Sequence, residues 1–171
     1  MVRIIGTILL LAGSSGIAYS YCREQNERLK TLRSMREVFI RIKKEIEYLK
    51  ASLPEICLSL GGQNIIFSDV FAEIYNEMEL NNGRSFIEIW QLYFDERLKR
   101  VPLTEKEKEM IKGFPDCLVY RDSEGQAEGI DKYIDEAGKC IEDLANEIKN
   151  KNKVILCMGV MAGMIAVVIL I

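Results

Sequence analysis

The sequence predicts an all-α protein: an antiparallel six-helix bundle whose first and last helices extend into transmembrane helices. Three features predict this class. Apolar residues recur with helical spacing along most of the chain, no segment alternates with the two-residue period of a strand, and both ends are long apolar runs. Positions 4–22 and 154–171 contain no Asp, Glu, Lys or Arg.

The C-terminal part of the chain has the clearest helical pattern. Its apolar residues alternate steps of three and four, the period of a helix seam that faces a partner helix. The seam comprises Ala127, Ile130, Ile134, Ala137, Ile141, Leu144 and Ile148. Residues 154–171 follow without a helix breaker and would rise roughly 27 Å, about the thickness of a bilayer core. We therefore expect one helix that leaves the bundle and enters the membrane.

The N-terminal apolar segment, residues 4–22, is predicted to be the second membrane helix. A cleaved signal peptide is the alternative, but Tyr19-Ser20-Tyr21 is a poor small-residue cleavage site and helical spacing continues beyond it. The continuation repeats the same steps at Leu32, Met35, Phe39, Ile42, Ile46 and Leu49. It is the predicted partner of the C-terminal seam.

Two arms of equal length, residues 23–53 and 123–153, are expected to pack as an antiparallel hairpin. Each spans roughly 46 Å as a helix and begins at a predicted membrane boundary. Two unrelated amphipathic helices are the alternative. The predicted domains are an N-terminal transmembrane helix at 1–22, a cytoplasmic helical bundle at 23–153 and a C-terminal transmembrane helix at 154–171.

Residues 54–122 must join the distal ends of the arms, and capping signals divide them into short helices. In each signal Ser or Thr stands three residues before Glu or Gln, so the two side chains can bond the free N–H groups of a first turn. These signals begin at Ser52, Ser85, Thr104 and Ser123. The first three predict helices from residue 54 to 60, from 86 until Pro102, and from 105 to Gly113 or, after a kink, to Leu118, and a broad apolar face predicts another from 65 to 80. The predicted core side chains of the helices that begin at residues 65 and 86 are Ile66, Phe67, Val70, Phe71, Ile74, Tyr75, Met78, Phe86, Ile89, Trp90, Tyr93 and Leu98.

Charge is distributed unevenly. Residues 1–53 carry a net charge of +5, residues 54–148 of −11, and residues 149–153 add three lysines. Seven of the Lys and Arg residues flank the hairpin side of the apolar segments and only Arg3 stands outside, so the positive-inside rule places the hairpin in the cytoplasm. The basic ends suit membrane lipid, and the acidic middle suits a basic protein partner rather than nucleic acid.

Residues for catalysis or metal binding are scarce. The chain has no His, which removes the commonest general base and metal ligand, and its five Cys form no C-x-x-C pair. Gly61-Gly62 lacks the strand and the Lys-Ser/Thr of a phosphate loop. We predict no enzyme, no cofactor and no metal; a membrane-bound hydrolase using carboxylates is a remote alternative.

Two sets of residues are candidates for interactions. Glu105, Glu107 and Glu109 lie in the distal acidic region and could meet Lys or Arg of a partner, although a solvated acidic surface would also explain them. Gly159 and Gly163 form a G-x-x-x-G step, and small residues four apart allow close helix packing in lipid, within or between protomers. Glycine is also common in membrane helices without such a role.

The order and spacing of several short motifs resemble the stage III sporulation protein AB family of endospore-forming bacteria. The motifs are Ile46-Glu47-Tyr48, Leu53-Pro54-Glu55, the region of Trp90, Leu103-Thr104-Glu105, Asp122 followed by Gln126, and the Gly-containing apolar C-terminal segment. The chain departs from the family pattern at Leu53-Pro54, where Pro-Leu is usual, and around Pro115, where a Gly-containing helix end is usual.

This resemblance implies a function as well as a fold. The family is similar to the cytoplasmic six-helix domain of type II secretion and type IV pilus platform proteins. It implies a platform subunit in the mother-cell membrane around the forespore, within the channel complex that joins the two cells. The expected partners are a cytoplasmic secretion-type ATPase, other channel subunits and a further copy of the chain. A membrane signalling or regulatory hairpin without catalytic activity is the alternative.

Overall fold

The computed structural model describes residues 2–118 and 123–170, although most side chains in 2–18 and 152–170, and those of 123 and 124, lie outside the description. In these residues it contains six α-helices and no strand, so the all-α prediction is confirmed. The helices are α1 (Val2–Lys44), α2 (Leu53–Gly61), α3 (Ser68–Glu79), α4 (Phe86–Leu98), α5 (Glu105–Gly113) and α6 (Ser123–Leu170). A π-helical turn, Glu45–Leu49, extends α1, and a 3₁₀ turn, Phe114–Leu118, follows α5.

The chain divides into two compact units. One comprises Met1–Leu29 with Glu142–Ile171, and the other comprises Lys30–Ile141. No helix in the described part of the chain has a stretch both long and apolar enough to cross a membrane. The predicted membrane helices at 1–22 and 154–171 are therefore not supported here, and most of their side chains lie outside the description.

In the Lys30–Ile141 unit, α1 and α6 pack antiparallel as predicted. Lys43 Nζ lies 2.5 Å from Asp131 Oδ2, whereas Arg36, two turns earlier, donates from Nε to the carbonyl of Ile134 at 3.3 Å. Gly138 lies opposite Arg36 as well. As the residue numbers rise along α1, the numbers of the contacted residues of α6 fall, so the two helices run in opposite directions. The seam side chains Leu32, Met35, Phe39, Ile42, Ile130, Ile134 and Ala137 are buried.

The predicted first arm ends earlier than expected. α1 gives way at Glu45 to the π-helical turn, and Lys50 adopts a left-handed conformation with φ of 51° that ends the helix. A π turn adds one residue to the helical repeat, which rotates the following side chains. Ile46 therefore stays buried while Leu49, predicted to continue the seam, is 72% exposed.

Aromatic side chains form the core between α3, α4 and the 3₁₀ turn. Trp90 is fully buried, its ring stacks on Phe94 with centroids 4.3 Å apart, and it also meets Phe71 and Phe114. The Trp90 indole N–H donates to the carbonyl of Ile111 at 3.0 Å, which ties α4 to α5.

The sequence did not single out Phe94 and expected Tyr93 in this core. Phe94 is fully buried instead, and Tyr93 is half-buried. The Tyr93 hydroxyl donates to Glu77 Oε2 at 3.4 Å, so the phenol lies at the edge of the core where its polar end has a partner. α3 also begins at Ser68 rather than at residue 65.

Three of the four predicted capping signals form capping boxes at the starts of α2, α4 and α5, and α6 begins at the fourth, Ser123. The backbone N–H groups of Ser52, Ser85 and Thr104 donate to the carboxylates of Glu55, Glu88 and Glu107 at 2.7, 2.8 and 2.8 Å. Of the fourth signal, the Ser123 side chain lies outside the description, and the Gln126 amide donates to the carbonyl of Leu118 at 2.9 Å. The sequence predicts two alternative ends for α5, Gly113 and Leu118. The α-helix stops at Gly113, and the 3₁₀ turn continues from there to Leu118.

Candidate interaction surface

The three glutamates of α5 do not share one environment. Glu105 is 80% exposed and pairs with Lys108 at 2.8 Å; the hydrogen bond from that ammonium holds the Glu105 pKa below its ordinary value. Glu109 is exposed and lines a groove between α4 and α5. Glu107 is only 4% exposed, because its carboxylate turns back to accept the Thr104 N–H.

The expectation that Glu107 faces a partner is thus wrong. Its position three residues after Thr104 commits its carboxylate to the cap of α5, and the sequence already contained that signal. Glu105 and Glu109 remain accessible, and their role in docking stays a prediction.

This division has a measurable consequence. Glu107→Ala should lower the free energy of unfolding by about 1 kcal/mol, because it removes an acceptor from the first turn of α5. Glu109→Ala, on the same helix but exposed, should stay within about 0.5 kcal/mol of the unchanged protein. Urea unfolding followed by Trp90 fluorescence measures both. Equal effects of the two substitutions would contradict the assigned roles.

α4 presents an exposed ridge that the sequence did not single out. A groove of about 730 Å³ flanks it on the α3 side and one of about 440 Å³ on the α5 side, and Gln91 and Asp95 line both. Asp95 lies 2.7 Å from Lys112 Nζ and 3.3 Å from Lys99 Nζ, and hydrogen bonds from these two ammonium groups hold its pKa below the ordinary value. Leu92 lies on this ridge and is 52% exposed. No sequence pattern predicts the exposure of Leu92, because an apolar residue that stands between core residues of a helix is expected to be buried.

The predicted small-residue contacts fall mostly outside the description. Gly159 and Gly163 lie within α6, but their surroundings are not described. In α1, Gly16 is exposed, and a side chain placed there would meet nothing within 4 Å. Packing at Gly159 and Gly163 stays a prediction.

Two of the cysteines have unreactive thiols because they are buried. Cys57 and Cys117 are buried, and burial raises the pKa of each thiol to about 12. A thiol with such a pKa stays protonated at neutral pH and is a poor nucleophile and metal ligand. No group of three or more Cys, Asp or Glu residues in the described part of the chain could hold a metal ion.

This fold and surface define an all-α bundle protein with charged grooves on both sides of α4. The family model of stage III sporulation protein AB matches residues 3–171, and the chain therefore belongs to that family of sporulation proteins. A solved structure titled Stage III sporulation protein AB (SpoIIIAB) superposes with a TM-score of 0.65 at 18% identity, covering 72% of this chain and 97% of that one. At this identity the likeness concerns the fold. No curated protein sequence matches. The resemblance seen in the sequence motifs is confirmed.

Proposed function

We propose that the protein is a membrane-anchored platform subunit of the channel complex between mother cell and forespore, and that it docks a cytoplasmic secretion-type ATPase. The observation that carries the proposal is membership of the stage III sporulation protein AB family over residues 3–171. The partners are the ATPase and other channel subunits, and further copies of the chain can join the same assembly.

The charge pattern supports the proposed location. Residues 4–22 and 154–171 contain no charged side chain, and Lys and Arg stand next to them on the hairpin side. Such ends suit insertion in the mother-cell membrane around the forespore as a two-pass protein, with basic residues beside anionic lipid and the bundle in the cytoplasm.

The acidic region of the chain that contains α5 supports the docking role, although α5 itself has three Glu and three Lys. Glu105 and Glu109 are exposed within a region, residues 54–148, that carries a net charge of −11. One exposed ion pair contributes only about 0–1 kcal/mol. Several ion pairs acting together accelerate association with a basic partner, and salt screens this attraction.

The test measures association of the purified ATPase with the full-length protein in nanodiscs at low and at physiological salt. We expect the association rate constant to fall about tenfold as salt rises. Glu105→Lys with Glu109→Lys should abolish most of that dependence, because the basic partner then meets a basic α5. Glu107 is left unchanged, since its replacement would disturb the cap.

The matched control is Glu128→Lys with Glu136→Lys, which changes the net charge equally at two exposed positions of α6. The control should keep most of the salt dependence. The docking proposal fails if the ATPase does not bind. The assignment to α5 fails if the two double variants behave alike.

A further inference from the structure

The groove between α3 and α4 has an apolar centre. Val70 of α3 and Leu92 and Tyr93 of α4 line it, Val70 being buried and Tyr93 half-buried. Leu92 is 52% exposed although it lies in the middle of a helix whose other large apolar side chains are buried or half-buried. A half-exposed leucine in a groove of about 730 Å³ leaves apolar surface that a partner side chain can cover.

Negative side chains outnumber positive ones around this apolar centre. Five carboxylates and three cations line the groove, a net charge of −2. Each cation already faces a carboxylate of the same groove: Arg97 lies 3.4 Å from Asp69, Lys99 3.3 Å from Asp95, and Arg100 3.3 Å from Glu96.

The remaining two carboxylates belong to Glu73 and Glu88, nearer the beginning of α4. Glu88 accepts the backbone N–H of Ser85 and keeps its negative charge, as its lowered pKa indicates. Glu73 is exposed, and no Lys or Arg in the described part of the chain forms an ion pair with it. The lining residues at this end of the groove are therefore acidic. Arg84 lies close to Glu88 but does not line the groove, and it pairs with Glu77 at 3.0 Å.

We infer that the α3–α4 groove binds an amphipathic α-helix of positive net charge from a protein partner. The lining residues of α4 run from Glu88 to Arg97, nearly three helical turns or roughly 14 Å, which matches an occupant helix of about 10 residues. Its apolar side chains, spaced i, i+3 and i+4, would cover Leu92 and the accessible part of Tyr93, and its Lys or Arg would lie against Glu73. The inference rests on the proposed docking role and adds the chemistry of the docked segment.

The test places the photo-crosslinking residue benzoylphenylalanine at Leu92 of the full-length protein in its sporulating host. The matched control places it at Leu58 of α2, a leucine of nearly equal exposure, 53%, that does not line this groove. We expect a protein adduct at Leu92 in at least about tenfold excess over Leu58, and mass spectrometry should map it to a basic segment with helical apolar spacing.

Other occupants give different results, and each overturns the inference. These are an adduct with a second copy of this chain, an adduct with lipid, a mapped segment that is acidic or lacks the apolar spacing, and equal yields at Leu92 and Leu58.

A second arm tests the charge. Glu73→Lys should reduce the adduct yield at Leu92 about tenfold, whereas Glu79→Lys, an exposed position of α3 outside the groove, should leave it unchanged. An unchanged yield with Glu73→Lys overturns the requirement for a basic occupant.

The outcomes separate the inference from the proposed function. If a basic helix of another channel subunit is captured and the purified ATPase does not bind the full-length protein, the groove inference stands and the ATPase assignment fails. If the ATPase binds the full-length protein but gives no adduct at Leu92, the proposed function stands and the groove inference fails.

Discussion

Trp90→Ala should lower the free energy of unfolding by about 3–5 kcal/mol, because it empties the centre of the aromatic core. The indole is fully buried, stacks on Phe94 at 4.3 Å and approaches Phe71 at 5.7 Å. It also carries the hydrogen bond to the carbonyl of Ile111 that joins α4 to α5. Urea unfolding followed by far-UV circular dichroism measures the loss, since Trp90 is the only tryptophan of the chain.

Trp90→Phe separates packing from hydrogen bonding. It keeps an aromatic ring and loses the indole N–H, so the expected cost is about 1–2 kcal/mol. Ile111 retains the hydrogen bond from the Phe114 backbone N–H, which limits the penalty. A cost for Trp90→Ala no larger than that for Trp90→Phe would contradict a core centred on this side chain.

Ile42→Lys should cost more than about 4 kcal/mol and leave the Lys30–Ile141 unit largely unfolded, since it buries an unpaired charge in the α1–α6 seam. Ile42 is 2% exposed and Ile134 is 8% exposed. Truncation of either to alanine should cost about 2–5 kcal/mol. Trp90 fluorescence during urea unfolding reports all three variants.

Leu49→Lys is the matched control, because Leu49 and Ile42 both belong to the seam predicted from the sequence. Leu49 is the last residue of the π-helical turn and is 72% exposed, so its replacement should change the free energy of unfolding by less than about 0.5 kcal/mol. A large cost at Leu49 would refute the change of helical repeat at Glu45, and a small cost at Ile42 would refute the shared α1–α6 seam.

The sequence was sufficient for the features that depend on near neighbours along the chain. The starts of α2, α4 and α5 follow from Ser52, Ser85 and Thr104, because a capping box joins residues only three apart. The facing seams of α1 and α6 follow from a repeated three-four spacing, which fixes the side of each helix that must be covered. The resemblance to the sporulation family followed from the order of short motifs.

The candidate site could be predicted only in part. The acidic region of residues 54–148 is visible as composition, and Glu105 and Glu109 are indeed exposed. Glu107 is not exposed. Its place in a capping box already indicated that its carboxylate binds the backbone at the start of α5. Neither groove beside α4 could be foreseen, because a groove forms between helices and its lining residues are far apart in the sequence.

By itself the sequence determined that the chain is helical, where most of the helices begin, and which family it belongs to, since these depend on local spacing and motif order. The tertiary structure alone decided that Phe94 rather than Tyr93 fills the core, that Leu49 leaves the seam, and that Leu92 stays half-exposed beside a groove. The physical reason is that helical periodicity tells which side chains share a face. How much of that face is covered depends on where neighbouring helices begin and end, and on small shifts of the helical repeat such as the π turn at Glu45–Leu49.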